Sequence, residues 1–128
     1  MLFVCAIMLA SCTNSNGPVN AVLSPNDFND KIKTLSNEVV IDLRSHGELH
    51  RVGPIEGSKN IDFNSGRLLS AVAGFQKDTP VMLYCASGGR SSKAATQLKE
   101  EGFTKVYDLD GGINAWKAAG LPIAAHGH

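Results

Sequence analysis

The apolar positions of the chain follow two patterns that alternate along it. Short, nearly unbroken apolar runs are typical of strands covered on both faces, and apolar residues at helical spacing are typical of helices that bury one side. The predicted strands are residues 22–23, 39–43, 60–61, 80–84 and 105–109. The predicted helices are residues 24–35, 68–75, 91–102 and 113–120, with a short helix near Glu48 in an otherwise polar loop. The alternation predicts the α/β fold class with a mostly parallel sheet.

The ends of two of these helices carry capping signals. Ser24 is placed as an N-cap, with Pro25 in the first turn and Asp27 at the third helical position. Gly102 is placed to end the helix that precedes the last strand. These signals support the predicted helix boundaries.

The first residues differ from the rest of the chain, because no charged side chain occurs before Asp27. Residues 2–10 form an apolar run, which is too short to span a bilayer and fits the core of a secretory signal. The run ends in Leu-Ala-Ser-Cys at residues 9–12, which resembles a bacterial lipobox with Cys12 as the lipidated residue. A basic segment before the run is missing, and a buried N-terminal strand is the alternative.

This interpretation divides the chain into four parts. We expect a lipoprotein-type signal peptide at residues 1–11, a lipidated Cys12 with a flexible tether at residues 12–20, a folded domain at residues 21–123 and a disordered tail at residues 124–128. The expected location is the periplasmic face of the cell envelope, through the lipid anchor alone. If the signal is misread, the expected location is the cytoplasm.

The charge balance narrows the possible partners. The chain has 12 Lys and Arg against 12 Asp and Glu, so its formal net charge is zero. Nucleic-acid binders normally carry a basic excess, and we therefore expect no nucleic-acid partner. We expect a monomer.

Cysteine usage directs attention to one residue. If Cys5 leaves with the signal and Cys12 carries lipid, Cys85 is the remaining thiol and has no partner in the chain. An unpaired thiol in an oxidising compartment is a liability unless it is buried or does chemistry.

The sequence around Cys85 predicts an activated nucleophile. Cys85 ends a buried strand, where ligands bind in open α/β sheets, and the small, Gly-rich segment after it leads directly into a helix. Backbone N–H groups at such a helix start stabilise an anion, and Arg90 adds a positive charge. Cys85 is the predicted catalytic residue. The predicted substrate-binding residues are Ala86, Ser87, Gly88, Gly89, Arg90 and Ser91.

Four segments, in order, resemble the motifs of rhodanese-like sulfurtransferases. Residues 85–92 (CASGGRSS) look like the active-site loop, and residues 40–44 (VIDLR) with Glu48 look like the first motif. Residues 53–61 (GPIEGSKNI) look like the second motif, although Pro54 stands where the family often has His and Ser58 where Ala is usual. Residues 106–116 (VYDLDGGINAW) look like the C-terminal motif. The resemblance spans roughly residues 24–122.

The resemblance implies a rhodanese-like fold, with about five strands flanked by helices on both faces. It also implies a thiosulfate sulfurtransferase-like reaction. The Cys85 thiolate takes a sulfane sulfur from a small-molecule or protein donor, and a thiol or cyanide removes it from the resulting persulfide. No metal or organic cofactor is implied. Ala86 and Ser87 are uncharged, whereas family members that use thiosulfate well often have basic residues in the loop. With Arg90 alone to attract the dianion, thiosulfate is expected to be a poor donor.

Other interpretations remain open at this point. The domain could be a catalytically silent binding module, although such relatives usually lose the cysteine. A Cdc25-like phosphatase is less favoured, because those enzymes have five residues between Cys and Arg and this chain has four. Asp42 and Arg44 are supporting residues, for which an ion pair at the strand end is favoured over substrate binding.

Overall fold

A computed structural model describes residues 19–125 of the chain, and within that range it contains a single five-stranded parallel sheet. The strand order is β1-β5-β4-β2-β3, so β4 lies at the centre. The strands are β1 (Val19–Leu23), β2 (Val39–Asp42), β3 (Lys59–Asn60), β4 (Val81–Tyr84) and β5 (Lys105–Leu109). The predicted fold class is confirmed.

Helices cover both faces of the sheet. They are α1 (Pro25–Thr34), α2 (His46–Arg51), α3 (Leu68–Val72), α4 (Gly89–Glu100) and α5 (Gly112–Ala118), with a 3₁₀ turn at Phe63–Ser65. Ser24 caps α1 as predicted, because its side chain accepts a hydrogen bond from the Asp27 amide at 3.2 Å.

Two apolar cores result, one on each face of the sheet. Residues of α3 and α4, including Leu68 and Leu98, pack with Leu83 on one face. Residues of α1 and α5, including Phe28 and Trp116, pack with Met82 on the other. Burial of every β4 side chain on one face or the other explains why that strand reads as a continuous apolar run.

Several predicted boundaries need correction, among them that of α3, which ends at Val72 instead of residue 75. The sequence interpretation places Val19 and Asn20 in the tether at residues 12–20, but they belong to β1, which pairs with β5 along its whole length. Helix α4 begins at Gly89 instead of residue 91. The sequence interpretation places Ala124 in the disordered tail at residues 124–128, but its amide donates to the Pro54 carbonyl at 2.8 Å.

The predicted signal peptide, Cys12 and the last residues of the predicted tail lie outside the described residues. Between residues 19 and 125, no helix combines the length and apolar character needed to cross a bilayer.

Candidate active site

Cys85 follows directly after the central strand β4, at the carboxyl edge of the sheet. Its residue surface is only 1% exposed. The next residues turn sharply into α4, whose N-cap is Gly88. Gly88 has a φ of +110°, a conformation that glycine adopts without the penalty paid by other residues. We call Cys85–Ser91 the sulfur loop.

Donor groups of the sulfur loop converge on the Cys85 sulfur. The amides of Gly88 and Ser91 donate to Sγ at 3.2 and 3.4 Å. The Ser91 hydroxyl lies 3.6 Å from Sγ. Burial acts to raise the pKa of Cys85, but the hydrogen bonds from Ser91, Gly88 and Ser87 outweigh it, so the pKa lies below that of an ordinary thiol.

The first turn of α5 holds the other side of the sulfur loop. The Ile113 amide donates to the Cys85 carbonyl at 2.9 Å, and the Asn114 amide donates to the Ala86 carbonyl at 3.1 Å. With these carbonyls bound to α5, the following amides are left facing the sulfur. The close approach requires Gly112, because a Cβ at that position would lie 2.6 Å from the Ala86 carbonyl oxygen.

Arg90 is not a free cation. Its guanidinium makes a bidentate ion pair with Glu48, at 2.9 Å from Nη1 to Oε2 and 2.6 Å from Nη2 to Oε1. Glu48 also closes a capping box with Ser45 at the start of α2. Arg90 and the Ser45 hydrogen bonds hold the pKa of Glu48 at about 2. Arg90 thus ties the sulfur loop to α2, and most of its charge is neutralised there.

Asp42 and Arg44 form a buried ion pair at the end of β2, as the sequence favoured. Arg44 Nη2 lies 2.7 Å from Asp42 Oδ2, and the two side chains are 1% and 0% exposed. Arg44 also donates to the carbonyls of Val52 and Gly53, at 2.8 and 3.1 Å. These contacts fix the loop after α2 and leave Arg44 little freedom to bind a substrate.

Asp108 is a buried acid beside the site that the sequence interpretation did not single out. It lies in β5, in register with Leu83 of β4, and is 7% exposed. Within the described residues its Oδ1 has no hydrogen-bond partner. Burial and the charge of Asp110 raise the pKa of Asp108.

Only some of the predicted substrate-binding residues lie at the Cys85 sulfur. Cys85, Gly88 and Ser91 form the sulfur site itself, whereas Ala86 lines the neighbouring cavity and Arg90 turns toward α2. Ser87 and Gly89 are exposed, and the Ser87 backbone also contributes a hydrogen bond that lowers the pKa of Cys85. Among residues 19–125 there is no cluster of three His, Cys, Asp or Glu side chains that could hold a metal ion.

The sequence contains signals for the two roles that its interpretation missed, that of Glu48 as the partner of Arg90 and that of Asp108 as a buried acid. The Ser-x-x-Glu spacing of Ser45 and Glu48 is that of a capping box, which fixes the carboxylate that receives Arg90. Asp108 is two residues beyond the buried Val106 in the same strand, and the period of a strand therefore places it on the same covered face.

Comparisons with known proteins agree with this geometry. The thiosulfate sulfurtransferase GlpE of Pseudomonas aeruginosa is 31% identical over 100 residues, covering 71% of this chain and 89% of that protein. The tRNA uridine(34) hydroxylase of Bdellovibrio bacteriovorus is 32% identical over 98 residues, covering 74% of this chain but only 28% of the hydroxylase. A solved structure from Rhodopseudomonas palustris, described as a protein of unknown function and possible tyrosine phosphatase, is 31% identical with a TM-score of 0.72. That match covers 80% of this chain and 83% of the other.

A family model covers most of the folded part of the chain. The model of the rhodanese-like domain matches residues 24–119, which include the sulfur loop and the elements that hold it. The chain therefore belongs to the rhodanese-like domain family.

Proposed function

We propose that the protein is a sulfurtransferase that carries sulfur as a persulfide on Cys85. The observation that carries the proposal is the pair of amide hydrogen bonds from Gly88 and Ser91 to the Cys85 sulfur. They favour the thiolate, which is the nucleophilic form of cysteine.

In the first step, the Cys85 thiolate attacks the sulfane sulfur of the donor. With thiosulfate, a bond forms between Sγ and the outer sulfur, the bond between the two donor sulfurs breaks, and its electron pair leaves with sulfite. The product is a Cys85 persulfide anion, so no proton or external oxidant is needed. The sulfur-loop amides that favour the thiolate also offer donors for the charge of this anion.

In the second step, an acceptor attacks the outer sulfur of the persulfide. Cyanide takes the outer sulfur and becomes thiocyanate, and a thiol takes it and becomes a persulfide. In both cases the Cys85 thiolate is the leaving group and is regenerated. The sulfurtransferase relatives support this type of chemistry for the family, and the hydroxylase relative belongs to a much longer protein.

The test is transfer from thiosulfate or a glutathione persulfide to cyanide, together with the mass of the tryptic peptide 78–90, which contains Cys85. We expect that peptide to gain one sulfur atom after donor treatment. Cys85→Ser should lower thiocyanate formation by at least about 10³-fold, as for loss of a covalent nucleophile. The matched control is Cys12→Ser, which should keep full turnover. Substantial turnover by Cys85→Ser would contradict the mechanism.

A phosphatase is the second candidate, because of the description of the Rhodopseudomonas structure. A phosphatase would need the Arg90 guanidinium to bind phosphate, but Glu48 occupies both of its terminal nitrogens. The four-residue spacing between Cys85 and Arg90 also gives a small ring of donors. Hydrolysis of p-nitrophenyl phosphate that depends on Cys85 would favour this candidate over sulfur transfer.

We further propose that Cys12 carries a lipid that holds the domain at the envelope. The support is the sequence of residues 2–12 alone. Fatty-acid labelling and membrane fractionation test it. Wild-type chain should label and sediment with membranes, and Cys12→Ser should do neither. An unlabelled wild-type chain that stays in the cytosol would contradict the proposal.

A further inference from the structure

If the site uses anionic sulfur donors, it needs positive potential near Cys85. The charges of Arg44 and Arg90 are already neutralised by ion pairs. Arg44 is buried against Asp42. Arg90 is paired with Glu48, and the charge of Asp62 acts on it as well. An incoming anion would therefore meet little net positive charge from either side chain.

A third arginine lies on the wall of the cavity next to the sulfur loop. This cavity of about 130 Å³ lies between α2 and the first turn of α5, and Ala86, the residue after Cys85, lines it. Arg51, at the end of α2, lines the same cavity and is exposed. Within residues 19–125 the Arg51 side chain makes no hydrogen bond and no ion pair.

The ion pairs decide which charged side chains of the cavity wall remain uncompensated. Arg44 and Glu48 also line it, but each is matched by its own partner of opposite sign. Arg51 is thus left as an uncompensated positive charge of the wall. A guanidinium is permanently charged and presents donors that suit sulfonate and carboxylate groups.

We propose that Arg51 is a specificity-determining residue that draws anionic sulfur donors of the thiosulfate type to Cys85. The role in choosing a sulfur donor rests on the proposed sulfur-transfer function. The preference of the cavity for anions over neutral molecules does not depend on that function. Arg51 acts on the encounter with the donor and on its orientation, and Arg90 keeps its role of holding the sulfur loop against α2.

A pair of alkylating reagents separates the two claims. Iodoacetate is an anion and iodoacetamide is its neutral counterpart, and both alkylate the Cys85 thiolate. Their rates are read on the tryptic peptide 78–90, so that Cys5 and Cys12 do not contribute. The variants are Arg51→Gln, Arg51→Glu and Arg51→Lys in the full chain. The control is Arg67→Gln, which removes the same charge from an exposed position lining a different cavity.

We expect Arg51→Gln to lower the ratio of iodoacetate to iodoacetamide rates about three- to tenfold, as for loss of one partly solvated charge. Arg51→Glu should lower it further, and Arg51→Lys should restore most of it. The iodoacetamide rate should stay near wild type, which also reports that the fold is intact. The kcat/KM for thiosulfate should fall by a similar factor, with kcat changed less.

The outcomes discriminate between the two proposals. An unchanged reagent ratio in Arg51→Gln, or an equal fall in Arg67→Gln, would overturn the assignment of Arg51 even if sulfur transfer is active. A fall confined to the Arg51 variants in a protein without thiosulfate turnover would support the anion-selecting role and count against the proposed function.

Discussion

Cys85 and Asp108 are two buried ionisable groups at the same edge of the sheet, and the protein treats them in opposite ways. Cys85 follows β4 and is 1% exposed, and Asp108 lies in the neighbouring strand β5 and is 7% exposed. The pKa of Cys85 is lowered, whereas the pKa of Asp108 is raised. Burial disfavours the charged form of both groups, so it does not explain the difference.

The difference lies in the hydrogen-bond donors that the backbone supplies. The amides of Gly88 and Ser91 point at the Cys85 sulfur, and α5 holds the loop that carries them. At Asp108, Oδ1 has no hydrogen-bond partner within the described residues, and a hydrogen bond from the Ser91 side chain does not offset the effect of burial on the pKa. At Asp42, which is also buried, the Arg44 guanidinium balances the charge of the carboxylate through an ion pair. The backbone solution suits a nucleophile because it favours the anion without a cation that would bind it permanently.

The largest effect should come from removing the support that aims the loop amides. Gly112 has a φ of +60°, and an added Cβ would overlap the carbonyls of Cys85 and Ala86. We expect Gly112→Ala to destabilise the protein by about 3 kcal/mol, from the sum of backbone strain and overlap. Any folded variant should have a less reactive Cys85.

Urea unfolding of Gly112→Ala measures this cost, and Gly47→Ala is its control. Gly47 lies in α2 with open space around its Cβ position and an ordinary φ. Gly47→Ala should be neutral or slightly stabilising. Equal stability of the two variants would mean that α5 does not support the loop in the way described.

A smaller effect, of opposite sign, should follow from neutralising Asp108. Because the pKa of Asp108 is raised in the folded state, its contribution to stability is largest below the pKa of the unfolded chain. That contribution is lost as the pH rises through the folded-state value. We expect Asp108→Asn to stabilise the protein by about 1 kcal/mol at pH 7, with the gain disappearing below about pH 4.

Urea unfolding of wild type and Asp108→Asn across this pH range tests the assignment. A variant that is less stable than wild type at pH 7 would mean that the Asp108 carboxylate is compensated. The contrast with Cys85 would then fail.

The smallest effect should come from the Ser91 hydroxyl. It lies 3.6 Å from the Cys85 sulfur and 3.2 Å from the Gly88 carbonyl oxygen, but the amides of Ser91 and Gly88 lie closer to the sulfur. We expect Ser91→Ala to lower the alkylation rate at pH 6.5 by about fivefold or less, because the hydroxyl lies farther from the sulfur than either amide and also donates to the Gly88 carbonyl. A loss of 100-fold would assign the main role to the hydroxyl instead of the backbone.

The sequence predicts the bounds of helices and strands well where a local pattern of residues is enough to determine them. Residues 105–109 are a strand at the predicted bounds, and the cap at Ser24 is present. The predicted start of α4 is two residues late, because the pattern treats Gly88 and Gly89 as a break between elements, whereas Gly88 is the N-cap of the helix. At the other end of the fold, β1 includes Val19 and Asn20 because β5 offers it an edge for pairing, which no local signal in the tether reveals.

For the site, the sequence identifies the nucleophile but not its environment. Cys85 and its loop are recognisable from the small residues and Arg90. The pairing of Arg90 with Glu48 joins residues 42 positions apart, and the free charge of Arg51 is known only once those partners are assigned. Such relations depend on the packing of α2 and α5 around the loop, and the order of residues along the chain does not contain them.

If backbone amides make Cys85 an activated thiolate, the pKa of Cys85 must show it. The measurement is the pH dependence of iodoacetamide alkylation of the peptide 78–90, in the native chain and in the same chain unfolded in urea. We expect a native midpoint clearly below that of the unfolded thiol, which titrates at ~8.5. A native midpoint at or above the unfolded one would show that burial outweighs the amide hydrogen bonds and that Cys85 is not an activated thiolate.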